Sequence, residues 1–70
     1  MVRLKEWTQP QTFADKRVYQ CQLFADVKED VTAGMDVIGM PDGDMAPGSS
    51  VITAKGEFAF LKSDGSWNWV

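Results

Sequence analysis

Polar and apolar positions alternate with a period of two along much of this chain. Between Val2 and Trp7, Val2 and Leu4 alternate with Arg3 and Lys5. That is the pattern of a short amphipathic strand or an extended arm. Thr8-Gln9-Pro10-Gln11 breaks it, because Pro10 has no N–H to give to a ladder. Arg17 to Ala25 is the clearest strand of the front half. Tyr19, Cys21 and Leu23 fall on one face and Gln20 and Gln22 on the other, as in a sheet with one wet side. Asp26 to Ala33 is the one stretch that reads as a helical turn. Asp26 can cap it, with Glu29 as the return partner of a capping box. Val27 and Val31 are four apart, and Gly34 would stop it. An acidic loop is the competing reading. Met35 to Met40 reads as a short strand limited by Gly39.

The loop Pro41-Asp42-Gly43-Asp44-Met45-Ala46-Pro47-Gly48 is dense in turn residues and separates the two halves. The back half predicts a three-stranded antiparallel meander: Ser50 to Thr53, a Lys55-Gly56 turn, Glu57 to Lys62, an Asp64-Gly65 turn, and Ser66 to Val70. Side chains two apart share a face, so Phe58 pairs with Phe60 and Trp67 with Trp69. Two registers are open for the last hairpin. A two-residue Asp64-Gly65 turn sets Phe60 opposite Trp69 and makes one aromatic face. A three-residue Ser63-Asp64-Gly65 loop with a bulge sets Leu61 opposite Trp67 and Ala59 opposite Trp69, with the Phe and Trp pairs on opposite faces. Ser-Asp-Gly suits the bulged form, a type I turn closed by a glycine at positive φ. A one-residue slip exchanges the faces entirely.

The expected fold class is therefore mainly β, a small single domain over residues 1–70 with a C-terminal three-stranded meander and at most one short helix. With 70 residues, the core offsets chain entropy by only ~3–5 kcal/mol, and small domains usually add a disulfide, a metal or a partner. Cys21 is the single cysteine, so no bridge forms within the chain. A bridge between two copies competes with a buried, reduced thiol, and the alternating pattern around Cys21 favours the thiol. Oligomerisation is the remaining remedy.

Charge changes the picture modestly. The net charge is −3. The bases Arg3, Lys5, Lys16 and Arg17 sit early, and the acids Asp26, Glu29, Asp30, Asp36, Asp42 and Asp44 crowd the middle. Four scattered bases are too few for a nucleic-acid footprint. The asymmetry would suit contacts between copies, although ordinary solvated faces explain it as well. Met1 to Glu6 lacks the apolar run of a signal peptide, and no stretch is long enough to span a bilayer as a helix. The expectation is a chain made in a bacterial cytoplasm, not secreted by a signal peptide, and bound to neither nucleic acid nor membrane.

The composition also argues against catalysis. No histidine is present, which removes the usual base near neutral pH and the Ser-His and Cys-His pairs. One cysteine cannot build a zinc site, and no phosphate-cradling glycine loop occurs. Asp42-Gly43-Asp44 opens like a calcium loop, but Ala46 and Pro47 stand where a ligand and glycine are needed. No catalytic, metal or cofactor residue is expected, and the chain is not expected to be an enzyme. The candidate interaction residues are Phe58, Phe60, Trp67 and Trp69. The tryptophans would serve as core or subunit-interface residues, or as a stacking platform for a ligand such as a sugar.

The stretch from Ala46-Pro47-Gly48-Ser49 through Val51-Ile52, Lys55-Gly56 and Phe58-Ala59-Phe60-Leu61 to Asp64-Gly65-Ser66-Trp67 resembles the closing half of short structural-cluster proteins of tailed bacteriophages and prophages. Those tend to carry a Pro-Gly-Ser start, an apolar strand, a glycine turn and a terminal Asp-Gly-x-Trp hairpin. The likeness covers the last third of the chain and carries no catalytic residues. It implies a structural or accessory role in a virion, with self-association or other virion proteins as partners. A small ligand-binding module using Trp67 and Trp69, or a regulator binding a host protein through the acidic middle, are the alternatives.

Overall fold

The computed structural model describes residues 1–8, 11–13 and 16–70. Nine strands are formed among them: β1 (Val2–Trp7), β2 (Gln11–Phe13), β3 (Lys16–Tyr19), β4 (Cys21–Ala25), β5 (Val37–Ile38), β6 (Asp44–Met45), β7 (Ser50–Thr53), β8 (Phe58–Leu61) and β9 (Trp67–Trp69). Six make one sheet in the order β5-β1-β4-β7-β8-β9, and three make a second in the order β2-β3-β6. The fold is mainly β, and β7, β8 and β9 form the antiparallel meander expected from the glycine turns.

The front half pairs with itself twice. β1 lies antiparallel to β4, and β2 antiparallel to β3. A bulge between Leu4 and Glu6 alters the β1 alternation. Leu4 opposes Leu23 on the inner face, Glu6 opposes Gln22 on the outer, and Trp7 returns to the inner side opposite Cys21. There Trp7 meets Tyr19 edge-on, with ring centroids 5.2 Å apart. The break read at Gln9 and Pro10 lies outside the described residues.

The strand read over Arg17 to Ala25 divides at Gln20, where the chain passes from one sheet to the other. Tyr19, Cys21 and Leu23 are all buried, as their alternation implies. A buried hydroxyl serves the crossing. The Cys21 N–H donates to Ser49 Oγ at 3.0 Å, and the Ser49 hydroxyl donates to the Ala46 carbonyl at 2.7 Å. The Ala46 N–H donates to the Tyr19 carbonyl at 2.7 Å. Gly48 and Ser49 also exchange backbone bonds with Leu61, each 2.8 Å. One short segment thus joins β3, β4 and β8.

The middle of the chain differs from the sequence expectation. Asp26 to Ala33 holds only a 3₁₀ turn at Lys28–Asp30, with no side-chain cap. Val27, not Asp26, stands at its N-terminal cap position, and the Asp26 carboxylate lies instead 3.8 Å from the Arg3 guanidinium and 3.6 Å from the Met1 amino group. The strand read over Met35 to Met40 shrinks to β5, which pairs in parallel with Val2 and Arg3. The loop of residues 41–48 contains β6, parallel to β3. These parallel pairs join distant segments, so no local turn signal announces them.

Val2, Tyr19, Cys21, Leu23, Ala25, Val31, Val51 and Ala59 form the core cluster. Met35, Val37, Met40 and Met45 pack against it from the middle segment. Residues 27–46 therefore cover one face of the larger sheet.

Two predictions follow from this packing. Ser49→Ala leaves the Cys21 N–H buried without its acceptor and should cost about 1–3 kcal/mol in chemical denaturation. A replacement without effect would show that another group serves that N–H. Gly43 and Gly65 both hold positive φ, +142° and +88°. A Cβ on Gly43 would lie 2.6 Å from the Arg17 carbonyl oxygen and from Tyr19 Cε2, whereas at Gly65 it meets open space. Gly43→Ala should therefore lower the melting temperature more than Gly65→Ala, which bears only the backbone cost of roughly 1–3 kcal/mol.

Candidate interaction surface

The β8–β9 hairpin sets where every candidate residue points. Ala59 opposes Trp69, Phe60 opposes Asn68 and Leu61 opposes Trp67. This is the bulged register. The Gly65 N–H donates to the Lys62 carbonyl at 3.0 Å, and the Lys62 N–H to the Ser66 carbonyl at 2.8 Å. Asp64 tightens the loop: its Oδ1 accepts from the Ser66 N–H at 2.9 Å and the Ser66 hydroxyl at 2.6 Å. The preceding hairpin repeats the plan, with the Gly56 N–H on the Thr53 carbonyl and the Thr53 N–H on the Glu57 carbonyl, both 2.9 Å.

The register divides the four candidate aromatics. Trp67 and Trp69 stand on the covered face, half-buried against the core cluster. The Lys28 ammonium lies 4.8 Å from the Trp69 ring centroid, a cation over an aromatic face. Phe58 and Phe60 stand on the other face, 41% and 37% exposed. Two residues not singled out from the sequence join them. Phe24 lies between Leu23 and Ala25, and Ile52 between Val51 and Thr53, so both point away from the core. The pairings carry one row across five strands: Ile38, Arg3, Phe24, Ile52 and Phe58. Arg3 lies 5.8 Å from the Phe24 ring centroid. Phe60 begins a second row, flanked by Ser50 and Asn68.

This open face is apolar where it should be wet. An antiparallel sheet with a solvated side normally sets polar residues there. Here β7 and β8 set Ile52, Phe58 and Phe60 outward, and all three are exposed. Exposed apolar groupings of this kind are candidate contact surfaces.

Other features offer less. A cavity of about 130 Å³ is lined by Glu6, Trp7, Gln20, Gln22 and Ser50 among others. Ligand pockets usually measure about 300–1,000 Å³. Cys21 is buried, and burial pushes its thiol above the ordinary value against the opposing Ser49 hydrogen bond. Among the described residues no three His, Cys, Asp or Glu side chains converge as a metal site. No helix among them is long and apolar enough to cross a membrane. Comparisons with models of protein families, with curated proteins and with solved structures gave no match.

The hairpin should carry a pH signature. The Ser66 hydroxyl, then the Ser66 N–H, holds the Asp64 carboxyl below its ordinary value. Stabilisation from such a depressed pKa is complete above the unfolded value and is lost as pH falls through the folded one. Asp64→Ala should lower the melting temperature slightly at neutral pH, and the difference from the parent should close on acidification. A difference independent of pH would mean that the charge is not what holds the loop.

Proposed function

We propose that this chain is a phage- or prophage-derived structural or accessory protein that acts by binding, through self-association or by docking on a larger assembly. The open face around Phe58 and Phe60 makes the contact. The observation that carries this reading is the row of half-buried Phe24 with exposed Ile52 and Phe58, beside exposed Phe60, on a sheet whose other face is already covered. The likeness of the last third to phage structural-cluster proteins supplies the setting, a virion as the destination after synthesis in a bacterial cytoplasm. A ligand platform of Trp67 and Trp69 has less support, since both rings pack against the core.

The test pairs Phe58→Ser with Phe60→Ser, both on the exposed face. Burying one such ring contributes about 1.5–3 kcal/mol, so the double variant should weaken association at least about tenfold. Its circular dichroism should be unchanged. Sedimentation velocity over a wide concentration range, with and without assembled particles, reads the result. A double variant that binds particles as well as the parent, or a parent that stays monomeric and binds no particle, would overturn the proposal.

A further inference from the structure

β9 is the last strand of the six-stranded sheet, and its outer edge pairs with no other strand among the described residues. The hairpin bonds show which backbone groups lie there. The Lys62 N–H bonds the Ser66 carbonyl and the Val70 N–H bonds the Phe58 carbonyl. In an antiparallel ladder hydrogen-bonded pairs alternate with open ones. Ser66, Asn68 and Val70 therefore turn their N–H and C=O groups inward to β8. Trp67 and Trp69 turn theirs outward.

Such an edge is a template for another strand unless it is blunted by a charge, a proline, a bulge or brevity. The opposite edge of this sheet is blunted: β5 has two residues and is followed by Gly39 and Pro41. β9 is short, but from Ser66 to Val70 it carries no charge and no proline.

The occupant follows from the strand itself. Trp67-Asn68-Trp69 reads the same in both directions. In an antiparallel pair a strand meets its partner reversed, so two copies of this strand match residue for residue about a twofold axis. Trp67 would face the partner's Trp69 in hydrogen-bonded positions, using the outward groups. Asn68 would face its own copy in the open position between them, where side chains approach most closely. Two carboxamides can each donate and accept there. The charges agree as well. Lys28 sits over Trp69, and Asp64 lies three residues before Trp67. The twofold brings the Lys28 end of one copy against the Asp64 end of the other. Two chains of net charge −3 would thus set Lys28 of each copy toward Asp64 of the other.

We infer that a second copy of this chain pairs with β9 edge to edge, through Trp67 and Trp69 backbone bonds centred on an Asn68 pair, making one continuous twelve-stranded sheet. This rests on the docking reading and deepens it: copies join at the edge, and the open face of each is left for the larger assembly. Edge pairing leaves Phe58 and Phe60 uncovered and sets the two open faces side by side, which doubles the surface offered to a larger assembly.

Asn68 is exposed, so a charge there is compatible with the fold, as circular dichroism would check. Asn68→Lys and Asn68→Asp each set like charges against each other at the twofold. Each alone should weaken dimerisation on the order of tenfold or more in sedimentation velocity, and mixing the two should restore it. In the parent, hydrogen exchange at the Trp67 and Trp69 amides should slow as concentration rises, with no such change at Asn68. If both variants dimerise as the parent does while the Phe58 and Phe60 double variant does not, contact runs through the open face. The edge inference then falls and the proposed function stands. A parent monomeric at every concentration would also overturn edge pairing, while docking on particles would survive as a separate result.

Discussion

The structure depends on how the backbone is satisfied where the chain leaves one sheet and enters the other. A strand that changes sheets must break its ladder, and at Cys21 the break falls in the buried interior. A buried N–H without a partner costs about as much as a small domain can lose. Ser49 meets that demand with a single oxygen, accepting from Cys21 and donating to Ala46. The residues that hold Ser49 in place are themselves bonded to Tyr19 and Leu61. The crossing therefore fixes how the front ribbon sits against the back meander. No polar side-chain atom buried among the described residues lacks a partner.

From that constraint follows the allocation of surface. Residues 27–46, with Tyr19 of the smaller sheet, cover the face of the larger sheet that bears Leu23, Val51 and Ala59. The largest fully buried side chains are only Leu23 and Val51, with Cys21 and Ser49. A core so thin gives each buried group a large share of the stability. The second face receives no cover from the described residues. Its apolar residues stand at regular register positions across neighbouring strands, so they form a surface rather than scattered points. The exposed phenyls and the self-matching edge belong to the same hairpin, whose glycine turns determine both.

The parts legible in the sequence are those governed by neighbours along the chain. The inward row of Tyr19, Cys21 and Leu23 follows from alternation, and Ser63-Asp64-Gly65 was enough to favour the register that separates the phenylalanines from the tryptophans. The illegible parts depend on distant contacts. Asp26 reads as a helix cap until Arg3 and the Met1 amino group claim its carboxylate. Gly43 looks like one turn glycine among several until the Tyr19 ring and Arg17 carbonyl close on it. Ser49 reads as a loop residue because nothing beside it announces Cys21. At the surface, Phe58 and Phe60 were found by their spacing. Phe24 and Ile52 were missed because each sits in an apolar run, where outward and inward residues look alike.

The mixed order of the larger sheet has a consequence for how the chain assembles. β7 with β8 and β9 makes an antiparallel ribbon closed by short connections, whereas β1 and β4 are joined across residues 8–20. Such a ribbon can form early, because little loop entropy is lost. The parallel ladders are another matter. β4 with β7, β1 with β5 and β3 with β6 all require the long middle segment to be spanned or laid down. Nonlocal pairing of this kind is the slow part of β folding. The back meander is thus the first unit, and the middle segment is the last to settle. Until it does, both faces of the sheet and both tryptophans are open to solvent. A nascent chain then shows its neighbours more apolar surface than the finished one.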